Sequence, residues 1–111
     1  MNAAKVTFED VYERWSDEHF PTVSDSNVKG YRAAWALCDK LVRMRFVDVK
    51  LDHLQMIVDE SGKTYPTLRK LKVLLSLMYK YAVIHEIIPK ERNLVEYLDI
   101  KKAGNPNALQ P

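Results

Sequence analysis

"TLRKLKVLLSLMYKYAVIHEIIP", residues Thr67 to Pro89, holds no glycine and no internal proline. Leu68, Leu71, Leu75, Met78 and Ala82 recur at spacings of three and four, and Leu74 and Tyr81 widen the stripe. That period is one face of an α-helix. Thr64 stands at the capping position, and Pro66 falls in the first turn, where its missing N–H does no harm. The spacing predicts a helix running to about His85, long enough to be central. Arg69, Lys70, Lys72 and Lys80 are set into this apolar stretch, with Glu86 as its one acid.

Three further helices are predicted upstream. Thr7 and Asp10 make a capping-box-like start, and Phe8, Val11, Tyr12 and Trp15 follow on one face, which places a first helix at about 8–19. Phe20-Pro21 ends it. Ser24 and Asp25 suit the positive end of a second helix, predicted at about 25–43 from Val28, Tyr31, Trp35, Cys38 and Val42. Gly30 lies inside it at a cost of about 1 kcal/mol against alanine, which a close approach to the backbone would offset. "RFVDVKL" reads as a connector, because nothing else in the chain looks able to pair with it as a strand. Leu51, Leu54, Ile57 and Val58 predict a third helix at about 51–60, broken by Ser61-Gly62-Lys63. Asn93 to Asp99 is expected to add a short fifth helix, and "KKAGNPNALQP" has the composition of a linker. The predicted class is all-α, a bundle of four to five helices.

The chain has 111 residues, enough for one small domain. Apolar residues make up 47% and charged residues 29%, an ordinary composition for a folded soluble chain. Cys38 is alone, so no intrachain disulfide forms, and a reducing, cytoplasmic setting is expected. Met1 to Phe8 has no apolar h-region and no apolar run is of bilayer length, so neither a secretory leader nor a membrane partner is expected.

Chemistry-bearing motifs are missing. His19, His53 and His85 fall on three different predicted helices and make no metal-ligand pattern, so neither metal nor cofactor is expected. Cys38 sits on an apolar stripe, where cysteine packs as a small hydrophobe. No Ser, His and Asp cluster has motif spacing, and three glycines make no phosphate loop. Most aromatic residues lie on core stripes, whereas Tyr65 and Tyr79 fall outside that rule and are expected to be available to a partner.

Charge is more informative. Residues 10–25 carry five acids and one base, while residues 61–92 carry seven bases and two acids, an excess of five. Lys29, Arg32, Lys40 and Arg43 fall in one band beside the Tyr31/Trp35 stripe if the second helix runs unbroken. Arg69, Lys72, Ser76 and Lys80 form a band beside the Leu71/Met78 stripe. Cations fixed on rigid helices displace the counterions of a phosphate backbone, and hydroxyls at Ser24, Ser26, Thr64 and Thr67 add phosphate hydrogen bonds. A lysine-rich solvated face is the plainer alternative.

The landmarks "TFEDVYERW", "SDSNVKGYRAAW", "VDVKLDHLQMIVDES" and "TYPTLRKLKVLLSLMYKYAVIHEII" resemble, in that order, the core-binding domain of tyrosine recombinases, the phage-integrase family. The resemblance covers about residues 6–101, and it departs from the family where Asn93 is followed by Leu94 rather than proline. It implies a SAM-like orthogonal bundle over 1–101 that forms half of a clamp on double-stranded core-site DNA, beside other recombinase protomers. It implies also that 102–111 starts a linker to a C-terminal catalytic domain outside this chain, so that the chain itself binds without cutting. Carried over by position, Ser26, Lys29, Gly30 and Arg32, then Thr64, Tyr65, Thr67, Arg69 and Lys70, match the DNA-facing starts of the second and fourth helices. Lys72 and Lys80 join them from the basic band. The competing reading is a helical protein-interaction module that docks a partner on Leu37, Val73 and Leu77. A small enzyme has no site in this sequence.

Overall fold

The computed structural model describes residues 3–101, so the predicted linker over 102–111 lies outside the described residues. Four α-helices form where the apolar periods place them: α1 over Phe8–His19, α2 over Asp25–Ala36, α3 over Leu51–Glu60 and α4 over Tyr65–Ile84. Short 3-10 turns join them, and no strand is present among the described residues. The fold is an all-α bundle. No helix of the described residues is long and apolar enough to cross a membrane.

Each helix starts for a local reason. The Thr7 hydroxyl accepts from the Asp10 amide and the Asp10 carboxylate accepts from the Thr7 amide, both at 3.0 Å. The Ser24 hydroxyl accepts from the Asn27 amide at 3.3 Å, and His53 Nδ1 accepts from the Lys50 amide at 2.9 Å. Thr64 has the extended backbone of a capping residue, but its side chain makes no capping bond. Gly62 takes a φ of +67°, the left-handed turn that glycine accepts most easily, just past the end of α3.

α4 is the centre of the core. Leu68, Leu71, Leu74, Leu75, Met78, Tyr79 and Ala82 are buried along it. α2 and α1 pack on it. An aromatic stack fills the α1–α2 side: Tyr12 lies on Trp35 at 4.1 Å between centroids, and Phe8 lies on Trp35 at 5.8 Å and on Phe46 at 5.3 Å. Trp35 is half-buried rather than fully enclosed.

Three expectations change. α2 stops at Ala36, not at residue 43, and the chain tightens into a 3-10 turn over Asp39–Leu41. The reason is tertiary. The carbonyls of Val42 and Met44 accept from the first-turn amides of Glu9 and Phe8 at 3.1 and 2.8 Å. In a continuing helix those carbonyls would point along the helix's own axis. Second, "RFVDVKL" is a connector as expected, yet it finds a partner, because Arg45 forms a single antiparallel bridge with Thr7 before a 3-10 turn over Phe46–Asp48. Third, the predicted fifth helix is two 3-10 turns, Lys90–Arg92 and Val95–Tyr97.

Candidate nucleic-acid interface

The sequence-derived site residues fall into three groups. Ser26, Lys29 and Arg32 are exposed on α2. Ser26 Oγ lies 3.3 Å from Ser24 Oγ. Lys29 and Arg32 line an open hollow with Phe20 and Asp25, and the Arg32 guanidinium sits 5.7 Å over the Phe20 ring. Lys40 and Arg43 do not continue this band, since α2 has ended. Lys40 instead faces Glu60 at 3.9 Å.

The second group opens α4. Thr64, Tyr65, Thr67 and Arg69 are all exposed. Because Thr64 makes no capping bond and Pro66 has no N–H, the first-turn N–H groups of Tyr65 and Thr67 are left to solvent or a ligand. Those N–H groups, two hydroxyls and the positive end of a 20-residue helix are suited to an anion. Lys80 is exposed further along the same helix.

The third group is engaged within the fold. The Lys72 ammonium donates to the Leu98 carbonyl at 2.9 Å and holds the C-terminal segment against α4. Lys70 is half-buried between α4 and α2, with its ammonium 4.0 Å from the Tyr31 ring centroid and 3.3 Å from Asn27 Oδ1. Gly30 lies directly beneath the Lys70 stem. The close approach that Gly30 permits is therefore, within the chain, that of Lys70.

Tyr79 is a correction. The phenol ring is 1% exposed and packs on Phe46 at 4.7 Å, so it is core and is not available to a partner. Helical angle explains this, because Tyr79 lies beside Leu68 and Leu75 on the wide apolar face of α4. Burial raises its pKa above the usual tyrosine value, against an opposing pull from Arg92. Tyr65, by contrast, is 41% exposed.

A groove of about 650 Å³ runs between α4 and the segment after Leu94. Tyr65, Arg69, Val73 and Leu77 form one wall, and Glu96, Tyr97, Asp99 and Ile100 line the other. This second wall was not read from the sequence. A 3-10 turn has no long apolar period; only the buried Val95, Leu98 and Ile100 mark it. Leu37 lies apart, in a small hollow with Ile57 and Glu60.

No protein-family model, no curated protein and no solved structure significantly matches the chain. The chemistry must be argued from its own residues. Among the described residues, no group of three or more His, Cys, Asp or Glu could hold a metal ion. Cys38 is fully buried, and burial pushes its thiol up to about 12, so it is no nucleophile at neutral pH. What remains is exposed cations on two packed helices, and an apolar groove with charged walls.

Proposed function

We propose that this chain is a DNA-binding module, and more finely the core-binding domain of a tyrosine recombinase, acting in a reducing, cytoplasmic setting. The observation that carries the reading is the freedom of its cations. Lys29, Arg69 and Lys80 are exposed on α2 and α4, and none forms an ion pair among the described residues. Side chains held on helices and not neutralised by acids are what a phosphate backbone requires. The open start of α4, with Thr64 and Thr67, adds hydrogen-bond donors beside them. The role is non-catalytic: neutralising phosphates and positioning a duplex for a separate catalytic domain and for other protomers.

Replacing Lys29 and Arg69 together with alanine tests the binding face. Both side chains are exposed, so the far-ultraviolet circular dichroism and the melting temperature should stay close to those of the parent. Anisotropy titrations of a labelled duplex at several salt concentrations should show weaker binding at every sequence, and a salt slope shallower by about two. An unchanged affinity in the folded double variant would sink the assignment. The recombinase reading also expects the encoded protein to continue past Pro111 into a domain with an Arg, His, Arg and Tyr constellation. A stop codon there counts against it.

The groove favours a second reading, a protein-interaction module. Val73, at 41% exposed, and Tyr97, at 65%, flank it, and Glu96 and Asp99 make its far wall unfavourable for phosphate. Val73→Ser separates the two readings, because it removes the apolar side chain without placing an acid one turn from Arg69. Under the DNA reading the variant keeps its duplex affinity within about twofold, since Val73 offers no donor.

A further inference from the structure

Lys70 and Arg69 are adjacent in sequence and do different things in space. Arg69 lines the exposed groove side of α4, whereas the Lys70 side chain crosses to α2. There it meets three residues spaced i, i+3 and i+4 on a single face: Asn27, Gly30 and Tyr31. The carboxamide of Asn27 accepts from the ammonium at 3.3 Å, and the Tyr31 ring centroid lies 4.0 Å from it. A Cβ built on Gly30 would lie 2.9 Å from Lys70 Cε, so an alanine there would push aside the far end of the flexible lysine side chain. The glycine is thus a notch in α2 that the lysine stem fills.

The seat is anchored. Tyr31 is buried and meets Trp15 edge-on at 5.3 Å and Phe20 at 6.1 Å, so the ring under the ammonium belongs to the α1–α2 core. A cation over such a ring is attracted by its quadrupole, and its methylenes cover apolar surface at the same time.

We propose that Lys70 is a positioning residue, a latch that sets α2 against α4 so that Lys29 and Arg69 are held in fixed relation, and that Gly30 leaves room for the lysine stem in that position. The functional half of this inference rests on the DNA-binding reading; the structural half does not. A contacting lysine and a latching lysine differ in what their loss does. Losing a phosphate contact makes the salt dependence of binding shallower by about one. Losing a latch lowers affinity at every salt concentration and leaves that slope in place.

The test uses the full 111-residue chain and a labelled 30-base-pair duplex (a probe length of our choosing), with Lys70→Met to keep the stem and remove the charge. Lys70→Met should weaken binding measurably but by no more than about fivefold, the ceiling set by the worth of an exposed cation–π contact, with an unchanged slope. Arg69→Gln should flatten the slope. Gly30→Ala, which displaces the stem but keeps the charge, should weaken binding by no more than Lys70→Met does, and the double variant should be no worse than Lys70→Met alone. A flattened slope in Lys70→Met overturns the inference in favour of a phosphate contact, and an unchanged affinity overturns the positioning role. If the parent binds no duplex even at low salt, the DNA reading falls, and proton NMR decides the latch alone. Ring current from Tyr31 should shift the Lys70 ε-methylene protons upfield of those of exposed lysines, and Gly30→Ala should move them towards the exposed-lysine position. Resonances at the exposed-lysine position in the parent chain overturn the latch.

Discussion

Glu86 holds a φ of +58°, in the left-handed region that glycine usually occupies. It stands just past α4, where the amides of Ile87 and Ile88 turn back to the Ala82 carbonyl at 2.8 and 3.4 Å, and both isoleucines become buried. A residue with a Cβ is strained there, so Glu86→Gly should raise unfolding free energy by roughly 0.5–1 kcal/mol, after the greater freedom of glycine in the unfolded chain is subtracted. Urea denaturation followed by circular dichroism checks it. Cys38 gives a pH prediction. Its thiol is pushed from 9.0 to about 12 by burial, so the folded chain keeps a proton that the unfolded chain releases. Stability from this group is complete below about pH 9 and declines as pH rises towards 12, by up to about 1.4 kcal/mol per unit. Cys38→Ala should remove that part of the alkaline slope in melts between pH 8 and 10.5 (a range of our choosing). The sequence already marked Cys38 as core, from its place on an apolar stripe. It did not mark the strained Glu86, because a positive φ leaves no trace in a glutamate codon.

At the scale of elements, the C-terminal segment shows how structure without a long period is held. The Gln55 carboxamide on α3 both donates to the Asp99 carbonyl at 2.8 Å and accepts from the Asp99 amide at 3.0 Å, which is the pattern of a strand pair made by a side chain. Lys72 holds the neighbouring carbonyl from α4. Gln55→Ala should cost about 1–2 kcal/mol and speed hydrogen exchange at the Asp99 amide, while the amides in the middle of α4 stay protected. This device is the reason that the groove has a second wall. α1, α3 and α4 were legible as apolar periods bounded by caps and breakers. The end of α2 was not, because Leu41 and Val42 continue the period past the point where the chain turns. The demand of the α1 amides for the Val42 and Met44 carbonyls outweighs the local pattern there.

Across the whole molecule, charge and burial are sorted by the way in which the helices pack. The excess of bases over 61–92 does not become one surface. Lys70 turns inward to α2 and Lys72 is spent on the Leu98 carbonyl, while Arg69 and Lys80 stay exposed. A duplex bound by this chain should therefore show a salt slope smaller than the count of basic residues suggests, with Lys70→Met and Lys72→Met leaving the slope where it is and Lys29→Ala and Arg69→Ala each lowering it by about one in anisotropy titrations. By itself the sequence determined the helical class, the central place of α4 and most of the core, since apolar period, capping residues and breakers act over a few neighbouring residues and need no knowledge of the fold. The helical angle of Tyr79, beside Leu68 and Leu75, likewise placed it in the core. Only the tertiary structure decided where α2 ends, that Gly30 and Lys70 form one contact, and that a groove opens beside α4. Each of these depends on which surface arrives from a distant part of the chain, and side-chain type and spacing within one helix carry no information about that arrival.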